Sequence, residues 1–179
     1  MSTNQREELI IDSAAMVEDF KRVAAGLTSE RHRAMMDVLI RHADAELINH
    51  DIDVLMATMI PQPRFRYYGT VGMPNFTGYE ATREYYLGVL QIPKNASAMQ
   101  MESLTIGDDA VVMEGFVLMA PGWLHNSSED MELVIDPDRP AVIRKRLCVI
   151  FPFEDGLMTG EVHYFDGPFG PGDLVYLDE

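Results

Sequence analysis

The stretch from Phe151 to Asp166 reads FPFEDGLMTGEVHYFD. Glu154–Asp155–Gly156 supplies turn chemistry between two β-rich runs, so an antiparallel hairpin is expected. In its second run, Glu161, His163 and Phe165 alternate to one face and Val162, Tyr164 and Asp166 to the other. Upstream, Gly107–Asp108–Asp109 separates two more runs in the same way. Strands are therefore expected over Ala98–Ile106, Ala110–Met119, Ala141–Phe153 and Leu157–Phe165. From Val111 onward the strands are apolar on both faces, so both faces need cover. Helices supply one cover, and a second copy of the chain is the simplest other one, which makes a homodimer the expectation.

Ahead of the strands the hydrophobic period changes from 2 to 3.6. Leu9, Met16, Phe20 and Val23 form one stripe of a helix over Arg6–Ala25. Met36, Leu39, Ile40, Ala43 and Leu47 form the apolar face of a second helix over Ser29–Asn49. Asp51 caps a short third helix, Ile52–Met59, which Pro61 and Pro63 end because neither supplies an N–H. Phe65–Tyr68 reads as a short strand. Thr77 and Glu80 have capping-box spacing and open a helix that carries Ala81, Tyr85, Tyr86, Val89 and Leu90. The Gly/Pro-rich tail after Asp166 is expected to be irregular. The class is α+β, with helices packed on one face of a curved, mainly antiparallel sheet.

The 179 residues suit one domain with an added element, and 47% hydrophobic residues are enough for a packed core. A net charge of −15 argues against nucleic acid and anionic membrane as partners, since both need a basic surface. The charge is polarised: no Lys or Arg follows Arg146, and Arg139, Arg144, Lys145 and Arg146 gather just before an acidic end. A further acidic segment, Ser128–Asp138, holds no base and reads as a solvated loop. One cysteine, Cys148 in an apolar run, excludes an intrachain disulfide framework and reads as a core residue. The N-terminal segment lacks signal-peptide features, and a cytoplasmic protein is expected. There is no P-loop, G-x-G-x-x-G after a strand, C-x-x-C or G-x-S-x-G.

Three segments together carry a resemblance. The run HDIDVLMATMIPQPRFRYYG holds Asp51, Asp53, Leu55 and Ala57; GYEATREYY holds Gly78, Glu80, Ala81, Arg83 and Tyr85. The closing hairpin holds Phe153, Gly156, Met158, Glu161, Tyr164, Phe165 and Asp166. In order and spacing they resemble the SnoaL-like branch of the NTF2-like superfamily over about Glu30 to Asp166. The resemblance implies a cone-shaped α+β half-barrel, a deep apolar pocket between sheet and helices, and a dimer. It leaves residues 1–28 as an N-terminal helical extension to a domain over 29–179. The superfamily spans polyketide cyclases, ketosteroid isomerases, epoxide hydrolases and dehydratases, and also non-catalytic binding modules, so fold alone does not fix function.

His163 is the leading catalytic candidate, because histidine exchanges protons near neutral pH and this strand presents a carboxylate to the pocket in the epoxide-hydrolase-like branch. Glu114 interrupts the apolar run AVVMEGFVLM and is either an acid–base group in the pocket or the partner of Arg144 or Arg146. Tyr67 and Tyr68 stand where the steroid-isomerase branch needs Asp; only one of the two can face the pocket, and Tyr67 is taken as the catalytic candidate. His50, Tyr68, Tyr86, Phe116, Trp123 and Arg146 are expected to line the pocket. His42, Glu46 and His50 form an i, i+4, i+8 ridge. A pocket-lining His50 beside a surface Glu46 is preferred there to a metal site, and no metal or cofactor is expected. The thirteen methionines suit a plastic apolar pocket. The expected function is cofactor-independent acid–base chemistry on a small apolar molecule; the alternative is a binding or assembly module.

Overall fold

The computed structural model describes residues 11–70, 72–121, 136 and 138–178. Four α-helices are described: α1 Ser13–Gly26, α2 Glu30–Asp44, α3 Ile52–Met56 and α4 Tyr79–Val89. The strands are β1 Met59–Tyr68, β2 Phe76–Thr77, β3 Ser97–Ile106, β4 Ala110–Met119, β5 Ala141–Glu154, β6 Leu157–Phe165 and β7 Leu174–Tyr176. They form one open mixed sheet in the order β2-β1-β6-β5-β4-β3, with β7 paired to β5. The β1–β6 pair is parallel and the others are antiparallel.

Strands β3, β4, β5 and β6 lie within a residue or so of where the β-rich runs and their turns place them. In the β5–β6 turn, Asp155 (φ 49°) and Gly156 (φ 81°) take the left-handed pair of a two-residue hairpin. Inward residues of the curved sheet, among them Val111, Met113, Val149, Phe151 and Met158, join the helix faces in one hydrophobic cluster. Met16, Val17 and Phe20 of α1 belong to that cluster, so the first helix packs into the core.

Several elements differ from expectation. Helix α1 starts at Ser13, where the Asp12 carboxylate accepts from the Ala15 N–H at 2.8 Å. Helix α4 is capped by Gly78 (φ 102°) without a side-chain bond, because Thr77 is committed to β2 opposite Arg64. Strand β1 begins at Met59 and runs through Pro61 and Pro63, because its register with β6 is interrupted between Met59 and Arg64 and no ladder N–H is needed there. The tail is tied down: Lys145 Nζ lies 2.9 Å from Asp166 and 3.1 Å from Asp173, and β7 follows.

Two local devices set up the inner site. After Asp44 the second helix widens to a π-turn, Ala45–Asn49, and stops at His50, which is left-handed at φ 56°. On β6, Gly160 has φ 127°, and a Cβ there would sit 1.9 Å from the Arg64 carbonyl oxygen. Only glycine lets β1 approach so closely, and the next residue is Glu161.

Candidate functional site

The inner end of β6 meets α2 and α4 at a cavity of about 120 Å³. Its walls are largely apolar: Met16, Phe20, Met99, Met113, Met119 and Phe151 are among them. Its polar end is built by His42 and Glu46 from α2 and the π-turn, Tyr67 from β1, Tyr85 and Tyr86 from α4, and Glu161 and His163 from β6. His42 and Glu46 are one helical turn apart, while Glu161 and His163 are two apart on a strand, so each pair shares a face.

Glu161 is the hub. Its Oε2 lies 2.7 Å from His163 Nε2, and its Oε1 accepts from the Tyr86 hydroxyl at 2.9 Å and lies 3.1 Å from His42 Nε2. The network also fixes the protons on His42. The Thr58 hydroxyl gives its one hydrogen to the Leu55 carbonyl at 2.6 Å, so it accepts from His42 Nδ1 at 2.7 Å. His42 Nε2 faces the Glu161 carboxylate and the oxygen of a Tyr86 hydroxyl whose hydrogen is spent on Glu161. Both ring nitrogens therefore donate, which only the imidazolium can do. Burial would lower the His42 pKa, but the hydrogen bond to Glu161 and the charges of Glu161 and Glu46 raise it above its ordinary 6.5. Burial likewise works against ionised Glu161, yet the hydrogen bonds from His163 and His42 hold its carboxyl well below the carboxylate range.

Glu46 behaves differently. Its carboxylate is mostly buried, 17% exposed, and accepts no hydrogen bond from any described residue; His42 Nε2 is 3.8 Å away. Burial, then the charge of Glu161, pushes its pKa up to about 7. Around it, burial above all keeps the Tyr67, Tyr85 and Tyr86 phenols neutral. The Tyr67 and Tyr85 rings lie side by side in the cavity wall, with centroids 6.4 Å apart. Among the described residues, His42, Glu46 and Glu161 are the set whose ligand atoms, all within 4.8 Å of one another, could hold a metal ion.

The raised Glu46 pKa has a measurable consequence. Between 4.5 and about 7 the folded chain keeps a proton that the unfolded chain has released, so stability falls as pH rises through that window. Glu46→Gln removes this loss. The variant is expected to exceed wild type by as much as about 3 kcal/mol at pH 8, with the gap closing toward pH 4.5. Urea midpoints across pH measure it, and a pH-independent gap would contradict the assignment.

The sequence-expected residues divide sharply. His163, Tyr67 and Tyr86 line the cavity. Tyr67 points in at 8% exposure and stacks on His163 with ring centroids 4.7 Å apart. Tyr68 points out at 44% exposure and stacks on Tyr164, which corrects its pocket placement. Glu114, Phe116 and Arg146 are also corrected. They lie on the outer face, where Arg146 bridges Glu114 at 2.6 Å and Glu102 at 2.7 Å, and Arg144 covers the Phe116 ring. Even-numbered residues of β4 and β5 face away from the cavity, so an interrupted apolar run was no sign of a pocket acid. His50 is outside the lining because the helix ends there in a left-handed turn. Asp51 caps α3 as expected, and Trp123 lies outside the described residues.

His42, Glu46, Glu161 and Tyr85 were not among the expected site residues, although their signals were present. The i, i+4 pair on α2 and the i, i+2 pair on β6 each announce a shared face. The ridge His42–Glu46–His50 pointed at the right helix, but Glu46 faces the cavity and His50 does not.

No protein-family model and no curated protein matches the chain. Solved structures do match. An NTF2-like protein from Anabaena variabilis superposes with a TM-score of 0.56 at 12% identity, over 82% of this chain and 96% of that one. A SnoaL-like protein from Shewanella putrefaciens gives 0.54 at 14% identity, over 79% and 83%. An LEH-like epoxide hydrolase from M. tuberculosis gives 0.52 at 17% identity, over 74% and 83%. Among the described residues no helix is long and apolar enough to cross a membrane. At these identities the likeness speaks for architecture alone, and the architecture is clear: the chain has the NTF2-like fold, in the form it shares with SnoaL-like and LEH-like structures.

Proposed function

We propose that the protein is a cofactor-independent enzyme that moves a proton on a small, largely apolar molecule, with His163 as the acid–base group. One observation carries this: a histidine in the wall of an apolar cavity, its Nε2 held at 2.7 Å by a buried carboxylate that is itself held from behind. Glu161 is ionised, so His163 Nε2–H donates to it, and in the neutral imidazole the lone pair sits on Nδ1. This is the logic of a base oriented by a third group. Nδ1 would take a proton from carbon beside a carbonyl, the C–H electron pair would form the carbon–carbon double bond as the carbonyl π pair moves onto oxygen, and a Tyr67 or Tyr85 hydroxyl would donate to that oxygen. Return of the proton to another carbon completes an isomerisation; loss of a leaving group completes an elimination. Epoxide hydrolase and SnoaL-like structures on this fold support the class without choosing the reaction. The homodimer belongs to the same proposal, since the outer sheet face carries the exposed Tyr68–Tyr164 stack, and light scattering tests it.

A second reading has its own support. His42 and His163 are both tied to Glu161, which suits a rigid, non-catalytic binding cavity. A panel of single-ring ketones, alcohols and epoxides separates the two. Binders are found by thermal shift, where a ligand at 100 times its Kd adds about 2.7 kcal/mol. Each binder is then followed by NMR in deuterated water. The enzyme reading expects conversion or deuterium uptake beside the carbonyl of at least one bound compound. Binders that neither change nor exchange leave the binding module.

A further inference from the structure

We propose that the cavity is built for a protonated amine, a single-ring hydrophobic molecule whose ammonium stands against the Glu46 carboxylate. The inference rests on the cavity being the ligand site, as the proposed function has it, and adds the charge of the guest.

The charges along the cavity point to it. The His42 imidazolium and the Glu161 carboxylate, 3.1 Å apart, answer each other. His163 is also committed to Glu161. Glu46 is left over. It accepts no hydrogen bond from a described residue, and the cation beside it, His42, is 3.8 Å away and already engaged. No Lys or Arg is among the described residues that line the cavity. A carboxylate without a counter-charge in apolar surroundings is costly, and a cationic guest removes that cost. An anionic guest would meet two carboxylates, and the His42 imidazolium beside them is already paired with Glu161.

The walls agree. Phe20, Tyr67, Tyr85, Tyr86, Phe151 and Phe165 supply aromatic surface, which attracts a desolvated cation. The Tyr67 and Tyr85 oxygens offer further acceptors for the ammonium hydrogens. The chain's net charge of −15 draws cations toward it from solution. Size sets the scale: the free volume of about 120 Å³ is near the roughly 150 Å³ of an apolar cavity that admits benzene, so the guest is no larger than one small ring and its substituent.

A divalent metal on His42, Glu46 and Glu161 is the competing occupant. The hydrogen bonds disfavour it. His42 Nδ1 donates to Thr58, and Nε2 carries a proton toward Glu161, so no imidazole lone pair remains for a metal. An ammonium needs none.

The groups facing Glu46 are His42 on its own helix, Glu161 on β6, Tyr67 on β1, and Tyr85 and Tyr86 on α4. The tyrosines stay neutral, so Glu46 is the group that gains charge as pH rises past about 7. The test uses benzylamine, benzyl alcohol and benzoate, alike in shape and different in charge, by calorimetry in EDTA and, in a parallel series, with zinc in its place. At pH 8 benzylamine should bind at least tenfold tighter than benzyl alcohol, and benzoate should not bind. The amine preference should shrink by pH 5.5. Glu46→Gln should abolish it while benzyl alcohol binding persists, which shows that the variant is folded.

Equal binding of amine and alcohol, a preference that survives Glu46→Gln, tight benzoate binding, binding only after added zinc, or no binding by any of the three would each overturn the inference. None of these outcomes touches the proposed proton transfer, which stands or falls on deuterium exchange.

Discussion

Glu161→Ala is expected to cost the fold about 3–5 kcal/mol, because it strands the buried His42, the half-buried His163 and the buried Tyr86 phenol at once. In a chain of this size that lowers Tm by roughly 10–15 °C. The cost also has a pH signature. The depressed Glu161 pKa means its contribution is complete above the ordinary 4.5 and is lost as pH falls through the native value. The raised His42 pKa means its contribution is complete below the ordinary 6.5 and is lost as pH rises through the native value. Between 4.5 and 6.5 both are present in full, so the wild-type advantage over Glu161→Ala should peak in that interval. Glu161→Gln keeps the shape and one acceptor, so it should fall between the two. Urea denaturation at several pH values measures all three chains. A flat difference of under 1 kcal/mol would show that Glu161 is no hub.

The same residues show what a sequence can and cannot carry. Strands β4 and β6 were legible to the residue, because β-rich runs bounded by turn chemistry are local signals. Strand β1 was legible only in its second half. Two prolines argue against a strand by a rule that assumes every N–H is needed, and the irregular register from Met59 to Arg64 removes that need. Strand β7 was invisible because its cause is distant: Lys145 pins Asp166 and Asp173, and that brings Leu174–Tyr176 beside β5. The N-terminal helix looked separable because the family resemblance stops short of it, yet Phe20 is 1% exposed in the common core.

The candidate site divides along the same line. His163 and Tyr67 could be placed by strand period, and the choice between Tyr67 and Tyr68 awaited only the sheet's inner side. Glu114 misled because a carboxylate within an apolar run has two explanations, and its partner Arg146 is a strand away. Glu46 was read as a surface residue because the ridge was projected as an unbroken α-helix through His50. The π-turn from Ala45 and the left-handed stop at His50 end that projection, and π-turns of this kind often mark functional positions.

For the chemistry itself the decisive residue is His163. With a substrate found by the panel, His163→Ala is expected to lower kcat/KM by about 10²–10⁴, the usual worth of a positioned general base. A structural role predicts something else, since His163 stacks on Tyr67 and Phe165 and its loss would loosen that end of the cavity. His163→Phe separates the two: it keeps an aromatic ring in the stack and removes the nitrogens. If His163 is the base, Phe and Ala variants lose rate alike, the Phe variant keeps the ring stack and so a higher Tm than the Ala variant, and free imidazole restores part of the rate in the Ala variant, whose shortened side chain leaves room for it. If the ring matters only for packing, the Phe variant exchanges deuterium at the wild-type rate. Glu161→Gln should then reproduce the rate loss only in the first case, because a carboxylate that orients a base is worth nothing once no base is there to orient.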